Sequence, residues 1–148
     1  PQGTLGKEID PIARATLWQN KMDYAHGTGH GVGFYSNVHE GTVSISKTNS
    51  NELKPGMVIS NEPGYYGSKF GIRIENLELI KKVGKFLSFE TLTLIPYEKK
   101  LIDKSLLSKT EINQINKYHK LVNEKMKPFI IRRDGDLVNF LNRKTSIL

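Results

Sequence analysis

Apolar and polar positions along the chain change period several times, and each change marks an element. Ile9, Ile12, Ala13 and Leu17 recur at helical spacing, which predicts a helix over residues 8–22. Asp10 has the side chain of an N-cap and Pro11 suits a first helical position, so the helix is expected to be capped there. Helical order stops at His26-Gly27-Thr28-Gly29-His30-Gly31-Val32-Gly33. Four glycines in seven residues rule out a regular helix and imply close backbone approach. Residues 42–46 alternate weakly, as a strand does. Leu53-Lys54-Pro55-Gly56 reads as a turn, and Met57-Val58-Ile59 as a short buried strand ending at Asn61-Glu62-Pro63-Gly64. Over residues 70–80 another strand places Ile72 and Ile74 on one side, with Arg73 and Glu75 on the other. Apolar parity then switches to Leu77 and Leu79, which predicts a strand buried on both faces or a bulge near Asn76. Residues 86–95 form a further strand. From Ser108 a long helix follows, capped by Ser108 or Thr110, with Ile112, Ile115, His119, Val122 and Met126 in phase. The last stretch is basic and carries no firm pattern.

The length, 148 residues, suits one ordinary domain with a real core. No apolar run is long enough for a membrane-spanning helix. Cysteine is absent, so disulfides and thiolate ligands are excluded and any metal must rest on His, Asp or Glu. The net charge of +7 is uneven: residues 1–80 hold seven Lys and Arg against eight Asp and Glu, whereas residues 81–148 hold fifteen against seven. The basic excess lies outside the glycine- and histidine-rich segment. It lacks interleaved aromatics or glycines and reads as a solvated lysine surface, so neither nucleic acid nor membrane is expected as a partner. The opening Pro1-Gln2-Gly3 shows no signal-peptide pattern and reads as the start of a fragment.

Three places carry candidate chemistry. Glu62 ends an apolar strand just before a Pro-Gly turn. Glu75 lies in a strand beside isoleucines, and a carboxylate among buried positions is costly unless paired or bound to a cation. Arg73, on the same face, offers the ordinary explanation, a salt bridge. His30 stands in the glycine-rich loop. One imidazole and two carboxylates make a hard O/N donor set suited to Mn²⁺, Co²⁺ or Zn²⁺. Histidines at 26, 30 and 39 add groups able to exchange protons near neutrality.

Taken as blocks, these segments resemble the aminopeptidase P (Xaa-Pro aminopeptidase) family. The resemblance rests on Gly27-Thr28-Gly29-His30-Gly31-Val32-Gly33, Asn37-Val38-His39-Glu40-Gly41, Asn61-Glu62-Pro63-Gly64-Tyr65-Tyr66 and Gly71-Ile72-Arg73-Ile74-Glu75-Asn76, in that order, followed by Phe89-Glu90-Thr91-Leu92-Thr93-Leu94-Ile95-Pro96. It implies an α+β fold: residues 1–100 as the C-terminal part of a pita-bread metallopeptidase domain, a curved antiparallel sheet with helices, and residues 101–148 as a helical C-terminal extension. The implied activity is release of the N-terminal residue from peptides with proline second, by metal-assisted hydrolysis with two divalent ions, Mn²⁺ foremost and Zn²⁺ or Co²⁺ as alternatives. His30, Glu62 and Glu75 map to metal ligands, with Glu75 bridging. His26, His39 and Arg73 map to catalytic positions. A cytoplasmic homodimer acting on Xaa-Pro peptides is the implied setting.

The family's two aspartate ligands have no evident counterpart. Asp10 reads as a helix cap and Asp23 follows that helix, so the aspartates are expected upstream of Pro1, and this chain alone is expected to be an inactive half-site. Rival readings are a prolidase or methionine aminopeptidase-like enzyme, or a non-catalytic pita-bread binding protein.

Overall fold

The computed structural model describes residues 1–34, 37–132 and 134–148. It divides into two compact units, residues 1–93 and 94–148.

The first unit opens with helix α1, Gly6–Gln19. It starts earlier than the pattern predicts: the Leu5 amide donates to Glu8 Oε2 at 2.8 Å, which satisfies one of the free amides at the helix start. Asp10 is therefore inside the helix and caps nothing. The buried stripe of α1 is Gly6, Asp10 and Arg14, while Ile12 is 74% exposed. Gly6 explains this orientation, because a Cβ there would lie 1.7 Å from the Ser44 carbonyl oxygen. Close approach at Gly6 turns the polar stripe inward, and of the apolar residues Ile9 reaches the core.

All strand pairs are antiparallel. β1 (Gly29–His30) pairs with β2 (Ser44–Ile45). β3 (Val58–Asn61), β6 (Asn76–Val83) and β7 (Phe86–Thr91) form a sheet in the order β3-β6-β7, with Ile59 opposite Glu78 and Glu78 opposite Thr91. β4 (Gly64–Tyr66) pairs with β5 (Gly71–Arg73). The single strand predicted over 70–80 is thus two strands in different sheets, separated by Ile74 and Glu75. That break is the origin of the parity change. Beyond it the buried face is Asn76, Glu78 and Ile80. Val43, Ile45, Leu53, Ile59 and Ile80 form the core. Complete burial of each contributes about 1.5–3 kcal/mol relative to exposure.

The second unit contains two 3₁₀ turns, Lys99–Leu101 and Lys104–Leu106, and two helices. α2 is Lys109–Ile130. Ser108 caps it reciprocally: the Glu111 amide donates to Ser108 Oγ at 3.2 Å and the Ser108 amide to Glu111 Oε2 at 2.7 Å. The α2 residues buried are His119 and Val122. His119 Nε2 accepts from the Tyr97 amide at 3.1 Å. Burial, aided by Lys99, holds the His119 pKa below the usual imidazole value. α3, Gly135–Lys144, occupies the basic stretch that showed no firm pattern, and Asp134 caps it through the Asp136 amide at 2.7 Å. Asn123 Nδ2 joins α2 to α3 by donating to Asn142 Oδ1 at 3.0 Å. Among the described residues no helix is long and apolar enough to cross a membrane.

Candidate active site

One cleft of about 370 Å³ in the first unit is lined by His26, His30, His39, Glu62 and Arg73, together with Gly27, Gly29, Ser44 and Ser46. The lining comes from segments far apart in sequence. Glu62 follows the end of β3, and its amide donates to Thr28 O at 2.7 Å. The glycine loop lies this close to β3 because Gly29 has no side chain: a Cβ would be 2.0 Å from Ser60 O. His30 is carried into the cleft by β1, and its amide donates to Ser60 Oγ at 3.0 Å.

The hydrogen bonds assign the tautomers. His30 Nδ1 lies 3.0 Å from Gly31 O, and a carbonyl oxygen only accepts, so Nδ1 carries the hydrogen. In the neutral ring Nε2 is then bare. That nitrogen is 3.1 Å from Glu62 Oε1, which also accepts from Ser60 Oγ at 3.0 Å. A bare nitrogen facing a carboxylate oxygen sets two electron-pair donors against each other. The pair is stable only with a second proton on the ring or a cation between them. Glu62 Oε2 accepts from Arg73 Nη1 at 3.0 Å. For His26, Nδ1 donates to Gly27 O at 2.7 Å, so Nε2 accepts from the Tyr66 hydroxyl at 2.9 Å. His39 packs on His30 with ring centroids 4.0 Å apart.

Glu75 stands apart from this group. It is not in the lining, its side chain is 44% exposed, and its nearest cation is Arg73 Nε at 3.7 Å. Ile72 and Ile74 are exposed, so the argument that Glu75 lies among buried positions does not hold; the strand break at residues 74–75 removes its premise. Among the described residues no three His, Cys, Asp or Glu side chains form a group that could hold a metal ion.

Pattern reasoning missed Tyr66 and Ser60, and it missed the polar cluster behind the cleft. Asp10 and Arg14 are buried, with Arg14 Nε donating to Asp10 Oδ2 at 2.7 Å. Burial alone pulls the Arg14 pKa down; hydrogen bonds to Asp10 and Asp23 more than reverse this, so the guanidinium stays charged. A hydrogen bond from Lys47, with another from Arg14, holds Asp23 well below the usual carboxylate range. The signal for the cluster was an opposite-charge pair four residues apart in a helix. Reading Asp10 as a cap concealed it.

Short antiparallel strands around a histidine- and glutamate-lined cleft, with a helical unit behind them in sequence, are the C-terminal part of a pita-bread metallopeptidase fold. The chain belongs to metallopeptidase family M24, whose pattern matches residues 1–82; that of the C-terminal region of peptidase M24 matches residues 85–148. Xaa-Pro aminopeptidase 1 of Dictyostelium discoideum is 50% identical over 97% of this chain. The crystal structure of X-prolyl aminopeptidase from Caenorhabditis elegans, described as a cytosolic enzyme with a di-nuclear active site, is 38% identical, covers 100% of the chain and superposes with a TM-score of 0.92. The prolidase of Pyrococcus horikoshii OT3 is also 38% identical but covers 68% at a TM-score of 0.56. The chain spans 25% of the length of the Dictyostelium protein, 25% of the Caenorhabditis chain and 27% of the prolidase chain.

Proposed function

We propose that this chain is the C-terminal part of the catalytic domain of a dinuclear-metal Xaa-Pro aminopeptidase. The observation that carries this reading is His30 Nε2 facing Glu62 Oε1 at 3.1 Å, a donor pair that a divalent cation would satisfy in place of a second ring proton. His30 and Glu62 would be ligands of one divalent ion of intermediate hardness, and Glu75, which lies outside the cleft lining here, would be a further ligand when the remaining ligands complete the site. Two divalent ions, Mn²⁺ foremost, would supply Lewis-acid polarisation of the scissile carbonyl and a water acidic enough to react near neutral pH.

The chain's own residues do the rest. Arg73 donates to Glu62 at 3.0 Å and lies 3.7 Å from Glu75, so it holds Glu62 in place and keeps a counter-charge beside Glu75. His26, its tautomer set by Gly27 O, presents a basic Nε2 to a neighbouring hydroxyl and suits substrate positioning. His39, packed on His30 at the cleft wall, suits proton transfer to or from the reacting amide. Proline in the second position lacks an amide N–H and has a fixed φ, so the substrate is gripped by shape and by its free amine. A cytoplasmic homodimer is the setting we assign. Prolidase is the second reading. The match extending through the helical second unit favours the aminopeptidase.

Paramagnetic Mn²⁺ tests the site directly. Titrated into the ¹⁵N-labelled chain, it is expected to broaden resonances of His30 and Glu62 first, and the effect is expected to vanish in Glu62→Gln. Uniform or absent broadening at millimolar metal refutes the half-site. For the activity, hydrolysis of an Xaa-Pro-Xaa peptide by the full-length polypeptide with Mn²⁺ is expected to be lost in Glu75→Gln. Absence of hydrolysis in the parent points to a non-catalytic binding protein.

A further inference from the structure

The cluster behind the cleft has no part in the reading above, and it ties α1 to the loop that carries His26. Arg14 uses four donor contacts. Nε donates to Asp10 Oδ2 at 2.7 Å, Nη1 to Asp23 Oδ1 at 2.6 Å and Tyr24 O at 2.8 Å, and Nη2 to His26 O at 2.7 Å. Its guanidinium carbon also lies 3.8 Å from the centre of the Tyr24 ring, where cation and π-face attract. Asp10 uses its other oxygen to accept from Thr28 Oγ1 at 2.6 Å. The single hydroxyl hydrogen of Thr28 is thereby committed, so Tyr24 O–H must be the donor in its contact with Thr28 Oγ1. The Thr28 carbonyl then accepts the Glu62 amide at 2.7 Å.

We propose that the buried Asp10–Arg14 pair is the positioning device of the cleft: it pins the Tyr24 and His26 carbonyls of the loop that carries His26 and, through Thr28, sets the depth of Glu62. The inference rests on reading His26 and Glu62 as working residues. Two buried charges are an expensive way to brace a helix against a loop, and apolar side chains of similar volume serve stability as well or better. What apolar packing cannot do is fix carbonyl directions. Arg14 does so at two carbonyls of the His26 segment with one rigid fork, which a lysine ammonium on a flexible stem does not reproduce. Asp10 is needed twice, as counter-charge to Arg14 and as acceptor for Thr28. Both residues are positioning residues, since neither lines the cleft.

The test is amide hydrogen exchange on the full chain, with Arg14→Lys beside the parent and Asp10→Asn as its complement. The Glu62 amide, donating to Thr28 O, reports the clamp. The Ile80 amide, donating to Met57 O at 2.9 Å, reports the remote sheet. In Arg14→Lys the Glu62 amide is expected to exchange about tenfold faster, the equivalent of one hydrogen bond's net contribution, with Ile80 unchanged. The His26 ring resonances are expected to shift and broaden as the peptide loosens. If both amides speed up together, or neither does, the pair is a plain structural brace and the proposal is overturned. If Arg14→Lys fails to fold, Thr28→Val decides, because it removes the hydroxyl that joins the loop to Asp10 and Tyr24 and leaves the Arg14 contacts in place. Selective loss at Glu62 supports the proposal and an unchanged Glu62 amide overturns it. These readouts use no metal, so failure of the metal half-site, read by Mn²⁺ broadening, and failure of this proposal, read by amide exchange, are distinguishable.

Discussion

Replacing Gly29 by alanine tests the contact that brings the histidine loop to the glutamate strand. An added Cβ would lie 2.0 Å from Ser60 O and 3.0 Å from Ser60 C, both backbone atoms. No flexible side-chain end can yield there. Ser60 is fully buried, paired with Leu77 across the sheet, and bonded through Oγ to the His30 amide and Glu62. Relief requires β1 and β3 to separate by roughly 1 Å, an overpacking that costs about 1–3 kcal/mol. The lower chain entropy of unfolded alanine offsets about 0.4–1 kcal/mol. The net loss of about 1–2 kcal/mol corresponds to a melting temperature lower by roughly 4–8 °C per kcal/mol in a unit of this size. Trp18 is the chain's one tryptophan and lies in α1, so its fluorescence during urea unfolding reports the first unit. Gly135→Ala is the control, since a Cβ there meets nothing within 4 Å and the position opens α3. It should leave the tryptophan transition where it is. Gly29→Ala with the stability of the parent would refute the close approach, and with it the account of why His30 and Glu62 meet.

Other consequences follow from burial and capping. Burial raises the Glu78 pKa, and among the described residues one of its oxygens has no hydrogen-bond partner while Thr91 Oγ1 donates to the other at 3.1 Å. The folded state therefore holds a proton that the unfolded state has released. Stability should fall as pH rises from about 4.5 through the raised value, and Glu78→Gln should abolish that fall in pH-dependent urea titrations. His119 shows the opposite sign. Its folded pKa lies below the ordinary imidazole value of about 6.5, so its contribution is present above that pH and is lost as pH drops beneath it. His119→Leu should remove this acid sensitivity and cost about 1 kcal/mol at pH 8, because the part-buried Tyr97 amide loses this acceptor. Ser108→Ala should cost about 1 kcal/mol by breaking the reciprocal cap of α2, read as a lower melting temperature of the second unit.

Local chemistry was legible from residue order alone. The glycine spacing at 27, 29, 31 and 33 announced a loop under close approach, and Gly29 and Gly31 each face a backbone oxygen that a Cβ would strike. The apolar run before Glu62, the start of α2 at Ser108 and the histidine-rich cleft residues were readable because each depends on neighbours in sequence: turn preference, strand alternation, capping. The family blocks tied them to one kind of site.

Tertiary contacts decided the rest. Which face of α1 turns inward depended on the Ser44 carbonyl meeting Gly6, so a stripe of Gly6, Asp10 and Arg14 won over the apolar period of Ile9, Ile12 and Leu17. The strand over residues 70–80 split because its halves found different partners, β4 for one and β3 with β7 for the other. No periodicity within the segment carries that information. The facing of His30 and Glu62 arises only when β1 approaches β3. Residue order states what each side chain prefers beside its neighbours, whereas burial, pairing and charge compensation are properties of segments that meet across the fold.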